Sequence, residues 1–257
     1  MVSDIFRYLK FIMHTRNHKG HGVHSPFSFD FITNVMNETA PFYIFSKIEY
    51  QRNSLAQDTT EFFITDLGTG NDRTTSLKEL IKREVKPRKY GQLLFRIVNH
   101  YQSKNILELG TSIGITTAYL ASVDSRAKCS TIEGSKTKQQ IAKSLHKDLK
   151  INNIKYICDN IDNCLEDIVK EYEYLDFVYF DANHTQEATK RYYDICVTKI
   201  HDKSVFVFDD IHWSNDMEIF WNELIKDERI KVSFELYGMG IVFFNSRIPK
   251  QQYKLYF

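Results

Sequence analysis

One stretch of the sequence decides the predicted fold: residues 105–114 read Asn-Ile-Leu-Glu-Leu-Gly-Thr-Ser-Ile-Gly. Its first half is apolar, as in a buried strand, and Thr116 and Thr117 follow in the first turn of a predicted helix. Gly110 allows a sharp turn between the two elements, and Gly114 allows the backbone to approach a ligand without a Cβ in the way. The spacing differs from the G-x-G-x-x-G of nicotinamide binders, and no Lys follows as in a P-loop. The turn is therefore predicted to hold a ligand with a small polar tail rather than a pyrophosphate; a tight turn without a ligand is the alternative.

Short strand-like runs alternate with helical ones from residue 87 onward. The predicted strands are Asn105–Leu109, Cys129–Glu133, Ile154–Asp159, Leu175–Asp181 and Ser204–Asp210. Parallel strands need crossover connections, so this alternation predicts an α/β fold with a mostly parallel sheet and helices on both faces. Two closing runs, at residues 231–237 and 240–244, are predicted to pair as a hairpin that adds an antiparallel strand.

The first 86 residues lack this alternation of strands and helices. They are predicted to form an N-terminal helical or irregular extension that could cap a substrate, while residues 87–257 form the ligand-binding domain.

Within the extension, residues 66–70 read Asp-Leu-Gly-Thr-Gly, a second glycine turn. No strand and acid follow it at the right distance, so we predict a loop. Four histidines precede this turn, but glycines interrupt any helix there and no Cys joins them, which favours a loop over a metal site. They are His14, His18, His21 and His24.

An acidic residue, Glu133, ends the next predicted strand about 20 residues beyond the glycine turn. An acid at this place accepts hydrogen bonds from both ribose hydroxyls of a bound nucleoside. Together with the glycine turn, Glu133 makes a nucleoside the predicted ligand. Asp159 follows the third predicted strand, where it would either meet the adenine amino group or cap the next helix; both interpretations stay open.

Three carboxylates follow the fourth and fifth predicted strands: Asp181, Asp209 and Asp210. In an open α/β sheet, ligands bind beyond the carboxyl ends of the strands, where these acids would gather. Three carboxylates form an oxygen site suited to Mg²⁺ or another divalent cation. Helix caps and turn-forming acids are the alternative, which explains one of the three more easily than all of them.

These motifs, with Tyr-Gly-Gln-Leu-Leu at residues 90–94 and Thr-Ile-Glu at residues 131–133, resemble a class I S-adenosylmethionine-dependent methyltransferase. The similarity is to O-methyltransferases of the catechol and caffeoyl-CoA type, and it covers roughly residues 86–244. It implies a Rossmann-like sheet of seven strands, mostly parallel with the last one antiparallel. Residues 20–27 and 237–244 are similar to a group of uncharacterised bacterial methyltransferases, mostly from Bacteroidetes, for which no acceptor is implied.

The resemblance also implies site residues. Those for S-adenosylmethionine are Glu108, Gly110, Thr111, Ser112, Gly114, Glu133, Gly134, Asp159, Asn160 and Asp181. In metal-dependent relatives the three protein ligand positions correspond to Asp181, Asp209 and Asp210, the last usually being Asn. Those relatives carry a catalytic Lys where this chain has His184.

Methyl transfer from a sulfonium needs an aligned acceptor and an activated nucleophile. We predict Asp181 and His184 as catalytic residues, because an imidazole can take a hydroxyl proton at neutral pH. His212 is a second candidate for the base. For both histidines, a structural role in a hydrogen-bonded loop is the alternative.

The amino-acid composition limits the classes of function that the protein can have. The 34 Lys and Arg residues nearly cancel the 33 Asp and Glu residues, for a net charge of +1, which disfavours binding to nucleic acid by backbone charge. No apolar run is long enough to span a bilayer, and four Cys residues without a C-x-x-C pair favour reduced thiols and a cytoplasmic location. The predicted function is O-methylation of a small hydroxylated molecule, with or without a divalent cation. A protein-directed methyltransferase and a non-catalytic S-adenosylmethionine-binding protein are the alternatives, and a homodimer is left open.

Overall fold

The computed structural model describes residues 11, 15, 20, 22–64 and 72–257. The chain divides into two compact units. The terminal unit comprises Met1–Glu38 and Tyr174–Phe257, and the central unit comprises Thr39–Glu173. The glycine turn predicted at residues 66–70, as well as His14, His18 and His21, lies outside the described residues. The division of function between residues 1–86 and 87–257 stays a prediction.

Most helices begin where a polar side chain can accept a hydrogen bond from a backbone amide of the first turn. The caps of this kind are Ser25, Ser76, Ser135, Asn160, Thr185 and Ser214. The helices are α1 Pro26–Asp30, α2 Tyr43–Leu55, α3 Leu77–Glu84, α4 Arg88–His100, α5 Ile115–Ala121, α6 Lys136–Asp148, α7 Ile161–Lys170, α8 Gln186–Cys196 and α9 Asn215–Leu224. A π-helical segment, Phe31–Met36, continues α1. None of the described helices is both long and apolar enough to cross a membrane.

The strands are β1 Glu61–Ile64, β2 Arg73–Ser76, β3 Asn105–Leu109, β4 Lys128–Ile132, β5 Ile154–Ile157, β6 Phe177–Phe180, β7 Val205–Asp209, β8 Val232–Leu236, β9 Met239–Phe243 and β10 Gln251–Lys254. In the central unit β3, β4 and β5 are parallel neighbours in that order, and β1 pairs antiparallel with β2. The register places Leu109 opposite Ile132, and Ile132 opposite Ile157. The residues that follow these strands therefore meet at one edge.

In the terminal unit the strand order is β10-β8-β9-β7-β6. β6 and β7 are parallel, with Phe180 opposite Phe208, and the rings of these residues stack with centroids 4.4 Å apart. Every residue of both strands is buried, as expected for parallel strands covered on two faces. β9 runs antiparallel to both β7 and β8, which confirms the predicted closing hairpin.

The α/β class and the mostly parallel strand arrangement predicted from the sequence are confirmed. Among the described residues, the five strands of the terminal unit and β3, β4 and β5 of the central unit make eight, one more than the predicted seven, while β1 and β2 form a separate pair. The additional strand is β10, which pairs in parallel with β8 near the carboxyl terminus. Its sequence, Gln-Gln-Tyr-Lys, carries one apolar side chain, so hydrophobic alternation gives almost no signal there.

Candidate functional site

The turn after β3 has three residues in the left-handed region of backbone conformation: Gly110 at φ 99°, Ser112 at φ 47° and Gly114 at φ 85°. The amides of Gly110 and Thr111 both donate to the carbonyl of Ile132, at 3.0 and 3.2 Å, which fastens the turn to the end of β4. Glycine adopts these angles without a steric penalty, whereas Ser112 does not. The turn therefore needs other contacts to keep Ser112 in place.

Glu133 supplies one of these contacts. Its carboxylate accepts the amide of Ser112 at 2.8 Å and the amide of Ser135 at 2.8 Å, one on each oxygen. Burial raises the pKa of this carboxyl, and the positive charge of Lys138 and the two amides oppose that rise. Each carboxylate oxygen has a second lone pair, so Glu133 can accept further hydrogen bonds from a ligand. Gly134 joins Glu133 to Ser135, the cap of α6.

Gly114 has a packing reason to be glycine that the sequence did not reveal. A Cβ at this position would lie 2.7 Å from the Cβ of Ala142 and 2.8 Å from ring atoms of His146, both on α6. The sequence predicts that a ligand approaches the backbone here. The structure adds that α6 already lies against it.

His146 is buried beside the turn, and its ring links two elements. Nε2 lies 2.7 Å from the carbonyl of Gly114, and Nδ1 lies 2.7 Å from the hydroxyl of Tyr156. A carbonyl only accepts, so Nε2 carries the proton, and Nδ1 accepts from Tyr156. Burial lowers the pKa of His146 to about 4, so the ring is neutral at neutral pH. A lone histidine in a helical run gave no sequence signal for this role.

Glu108 was predicted to line the methionine end of the cofactor. The structure buries it completely in β3, where Thr117 donates to Oε2 and Thr131 donates to the same oxygen at 2.6 Å. Thr111 lies 2.5 Å from the hydroxyl of Thr131; because that hydroxyl already donates to Glu108, Thr111 is the donor. Glu108 thus accepts two hydroxyls directly and holds that of Thr111 through Thr131, and its contact with a cofactor stays a prediction.

Asp159 is exposed after β5, and its Oδ1 accepts the amide of Asn160 at 2.7 Å and the side-chain amide of Asn163 at 3.2 Å. The residue that caps α7 is Asn160, whose side chain accepts the amide of Asp162 at 3.0 Å. The capping interpretation, which was made for Asp159, is therefore wrong about the residue, because Asn160 caps the helix. A contact with adenine stays a prediction for both.

The terminal unit contains a candidate site of its own, a cluster formed by Asp181, His184 and Asp209. One candidate ligand atom from each lies within 4.8 Å of the others, and Nε2 of His184 is 3.5 Å from Oδ1 of Asp181. Asn183 and His184 have φ of 63° and 38°, so two successive non-glycine residues are strained in the loop after β6. This conformation turns His184 back toward Asp181. Asp209, at the end of β7, is 1% exposed, so its carboxylate is enclosed.

The two other residues predicted near this cluster are used differently. Asp210 has φ of 52° and its amide donates to Gly238, and its carboxylate is not in the converging group. His212 lies with Nδ1 3.2 Å from Glu218 and Nε2 3.1 Å from Glu235. Both ring nitrogens thus face carboxylates, which favours the structural alternative over a base. Burial raises the pKa of Glu235, but hydrogen bonds from His212 and Lys254 outweigh this and lower it.

A pair of charged residues beside the turn after β3 was not predicted from the sequence. Glu84, at the end of α3, lies 2.9 Å from the ammonium of Lys138, in the first turn of α6. It also accepts the hydroxyl of Ser112 at 2.7 Å. Glu84 belongs to a Lys-Arg-Glu-Val-Lys run that reads as an ordinary charged surface. Nothing in the sequence connects it with residues 28 and 54 positions further on.

Residues 107–211 match the model of a family described as Methyltransferase domain. The matched range contains the glycine turn, Glu133 and the Asp181–His184–Asp209 cluster. The match confirms the predicted enzyme class, a methyltransferase. Among curated proteins, none is significantly similar to the chain. The narrower grouping with Bacteroidetes proteins stays a prediction.

The fold is similar to that of solved O-methyltransferases. A Bacillus cereus O-methyltransferase in complex with SAH is 19% identical, with a TM-score of 0.57, and the match covers 82% of this chain and 95% of that one. TomG of Streptomyces achromogenes, an O-methyltransferase of tomaymycin synthesis in complex with SAM, is 14% identical, with a TM-score of 0.57, over 80% of this chain and 92% of that one. A Staphylococcus aureus protein provisionally assigned as a caffeoyl-CoA O-methyltransferase is 21% identical, with a TM-score of 0.57, and the match covers 65% of this chain and 88% of that one. At these identities the likeness establishes the fold, and the predicted Rossmann-like methyltransferase fold is confirmed.

Proposed function

We propose that the protein transfers the methyl group of S-adenosylmethionine to a hydroxyl oxygen of a small molecule. One observation carries the proposal: the turn after β3 and the carboxylate of Glu133 form a single hydrogen-bonded cradle, through the amide of Ser112 at 2.8 Å. A methyltransferase domain match over residues 107–211 supports the reaction class. The likeness of the fold to solved O-methyltransferases supports oxygen as the acceptor atom.

In this proposal, each part of the cofactor lies against different residues of the central unit. Glu133 accepts the ribose hydroxyls on the lone pairs that the amides of Ser112 and Ser135 leave open. The turn from Gly110 to Gly114 lies along the methionine end, and residues 159–160 lie toward the adenine. Glu108 stays behind the turn and keeps its shape through Thr117 and Thr131.

The chemical step is an in-line displacement. The acceptor oxygen forms a bond to the methyl carbon while the carbon–sulfur bond breaks, and its electron pair stays on sulfur, which leaves S-adenosylhomocysteine. The hydroxyl proton must leave before or during transfer, because a neutral hydroxyl is a weak nucleophile. Where no cation is bound, His184 takes this proton, and the contact of its Nε2 with Oδ1 of Asp181 at 3.5 Å supports this role by orienting the ring.

The same cluster fits a divalent cation. Two carboxylates and one imidazole supply oxygen and nitrogen donors, and one candidate ligand atom from each lies within 4.8 Å of the others. Asp181, His184 and Asp209 would hold the ion, whereas Asp210, which the resemblance predicts as a ligand, is outside this converging group. When bound, a divalent cation lowers the pKa of a hydroxyl that it contacts. An imidazole that binds the cation through Nε2 cannot also take the proton, so His184 acts as ligand or as base, not both.

Calorimetry with S-adenosylmethionine, followed by a methylation screen of catechols, phenols and alcohols with and without Mg²⁺ or Mn²⁺, tests the proposal. We expect cofactor binding without added metal and methylated product from at least one hydroxylated class. Activity that requires a cation would assign His184 as ligand, and activity in chelator would assign it as base. Binding without any product would favour the non-catalytic alternative, methylation of a protein acceptor would favour the protein-directed one, and no binding would refute the proposal.

A further inference from the structure

A charged cluster beside the cofactor turn has no role in the proposed reaction. Glu84 lies at its centre, with its side chain 20% exposed. Its Oε1 accepts a guanidinium nitrogen of Arg73 at 2.8 Å. Its Oε2 accepts the hydroxyl of Ser112 at 2.7 Å and lies 2.9 Å from the ammonium of Lys138. One carboxylate therefore joins β2, the turn after β3 and the first turn of α6.

Lys138 is the unusual member of this cluster, because it is a lysine with only 8% of its surface exposed. A buried ammonium needs a paired anion, since its desolvation is costly. Two carboxylates are close enough to act on it. Glu84 is in direct contact with the ammonium. Burial raises the pKa of Glu133, and the positive charge of Lys138 is the largest influence that lowers it.

Ser112 is held from both sides by the same two acids. Its amide donates to Glu133 at 2.8 Å, and its hydroxyl donates to Glu84 at 2.7 Å. These bonds keep a non-glycine residue at φ 47°. The carboxylate of Glu84 thus does two things: it helps to hold Ser112 in the cradle, and it pairs with Lys138.

We propose that Glu84 is a positioning residue for the cofactor: by pairing with Lys138 it keeps that ammonium off Glu133, whose carboxylate stays available to the ribose hydroxyls. The inference rests on the proposed function, since it takes Glu133 as the ribose acceptor. Without the charge of Glu84, Lys138 still acts on the carboxylate of Glu133. An ion pair between Lys138 and Glu133 would then compete with the ribose for the same oxygens.

The test compares Glu84→Gln, Lys138→Met and the double variant by calorimetry with S-adenosylmethionine and with adenosine. Gln keeps an acceptor for the hydroxyl of Ser112 but removes the charge that pairs Lys138. We expect Glu84→Gln to weaken binding of both compounds about tenfold, and the double variant to return to within about threefold of wild type. Recovery on removing a second residue distinguishes competition by Lys138 from simple damage to the fold.

Two exposed neighbours provide matched controls: Glu79→Gln on α3 and Lys136→Met on α6 should leave both affinities unchanged. Thermal denaturation of every variant shows whether it is folded. Unchanged affinity in Glu84→Gln, or a double variant that binds no better than Glu84→Gln, would overturn the inference while leaving the proposed function intact. A loss for S-adenosylmethionine but not for adenosine would also overturn it, by placing Glu84 at the methionine end. A wild-type protein that binds neither compound would refute the proposed function, and the inference with it.

Discussion

The cradle after β3 and the cluster after β6 and β7 are both acidic sites beyond the carboxyl ends of parallel strands, yet they are built differently. In the cradle, backbone amides of Ser112 and Ser135 hold Glu133, and glycines supply two of the three left-handed residues. In the cluster, side chains converge, and the non-glycine residues Asn183 and His184 carry the backbone strain. A site made from backbone leaves a spacing of glycines in the sequence. A site made from strained side-chain loops leaves much less.

This difference has a functional counterpart. The cradle is already closed by hydrogen bonds within the central unit, so it suits a ligand that is the same in every turnover. The cluster brings enclosed and half-buried ionisable groups together, which suits proton transfer or cation binding. Changes in the cradle should therefore affect affinity and stability, whereas changes in the cluster should affect rate.

The largest expected effect concerns the cluster. We expect Asp181→Ala to lower methyl transfer by roughly 10²–10⁴-fold, because either proposed role of the cluster, an oriented His184 base or a cation site, depends on this carboxylate. Affinity for S-adenosylmethionine, measured by calorimetry, should change by less than about threefold. Asp210→Ala is the matched comparison, since Asp210 is outside the converging group. Parallel losses of rate and cofactor affinity in Asp181→Ala would place the residue in the cofactor pocket and break the contrast.

A large effect on stability is expected from Gly114→Ala. The added Cβ would lie 2.7 Å from Ala142 and 2.8 Å from His146, and φ of 85° disfavours any side chain. Together these should lower the free energy of unfolding by about 3 kcal/mol, measured in denaturant. A loss below about 1 kcal/mol would mean that α6 moves aside, and that the glycine serves the ligand rather than the packing.

The predicted strands show which parts of the site the sequence could reveal. β3 was predicted with the observed bounds, while the next four predicted strands ran one or two residues too far at the end that carries Glu133, Asp159, Asp181 or Asp210. The error has a physical cause, because these polar residues turn out of the hydrogen-bonded ladder just as they reach the site. The glycine turn and Glu133 were predictable as local patterns. Contacts such as Glu84 with Lys138 span 54 positions and depend on how α3 packs, which no local pattern records.

Acidification should expose the contribution of His146. The pKa of His146 is about 4 in the folded protein, against 6.5 for a histidine in the unfolded chain. Between pH 4 and 6.5 the unfolded chain therefore binds a proton that the folded protein does not. Stability from this group is complete above pH 6.5 and is lost as pH falls toward 4, by up to about 3 kcal/mol. Denaturant unfolding of wild type and His146→Gln across this range measures it. The variant should show a shallower decline, and identical slopes would contradict the neutral, Nε2-protonated ring.

The smallest expected effect tests the cradle itself. Glu133→Ala should weaken S-adenosylmethionine binding by roughly 1–3 kcal/mol, because the ribose hydroxyls lose their acceptor. Glu133→Gln refines this result, since its amide can accept from only one oxygen and would leave the amide of Ser112 or of Ser135 without its partner. We therefore expect Gln to recover less than half of the loss in calorimetry. Full recovery of affinity in Glu133→Gln would show that the hydrogen-bonding geometry of residue 133 matters more than its charge. Unchanged affinity in Glu133→Ala would show that the ribose does not bind in this cradle. In that case the contrast fails too, because both acidic sites would then serve purposes other than holding the cofactor.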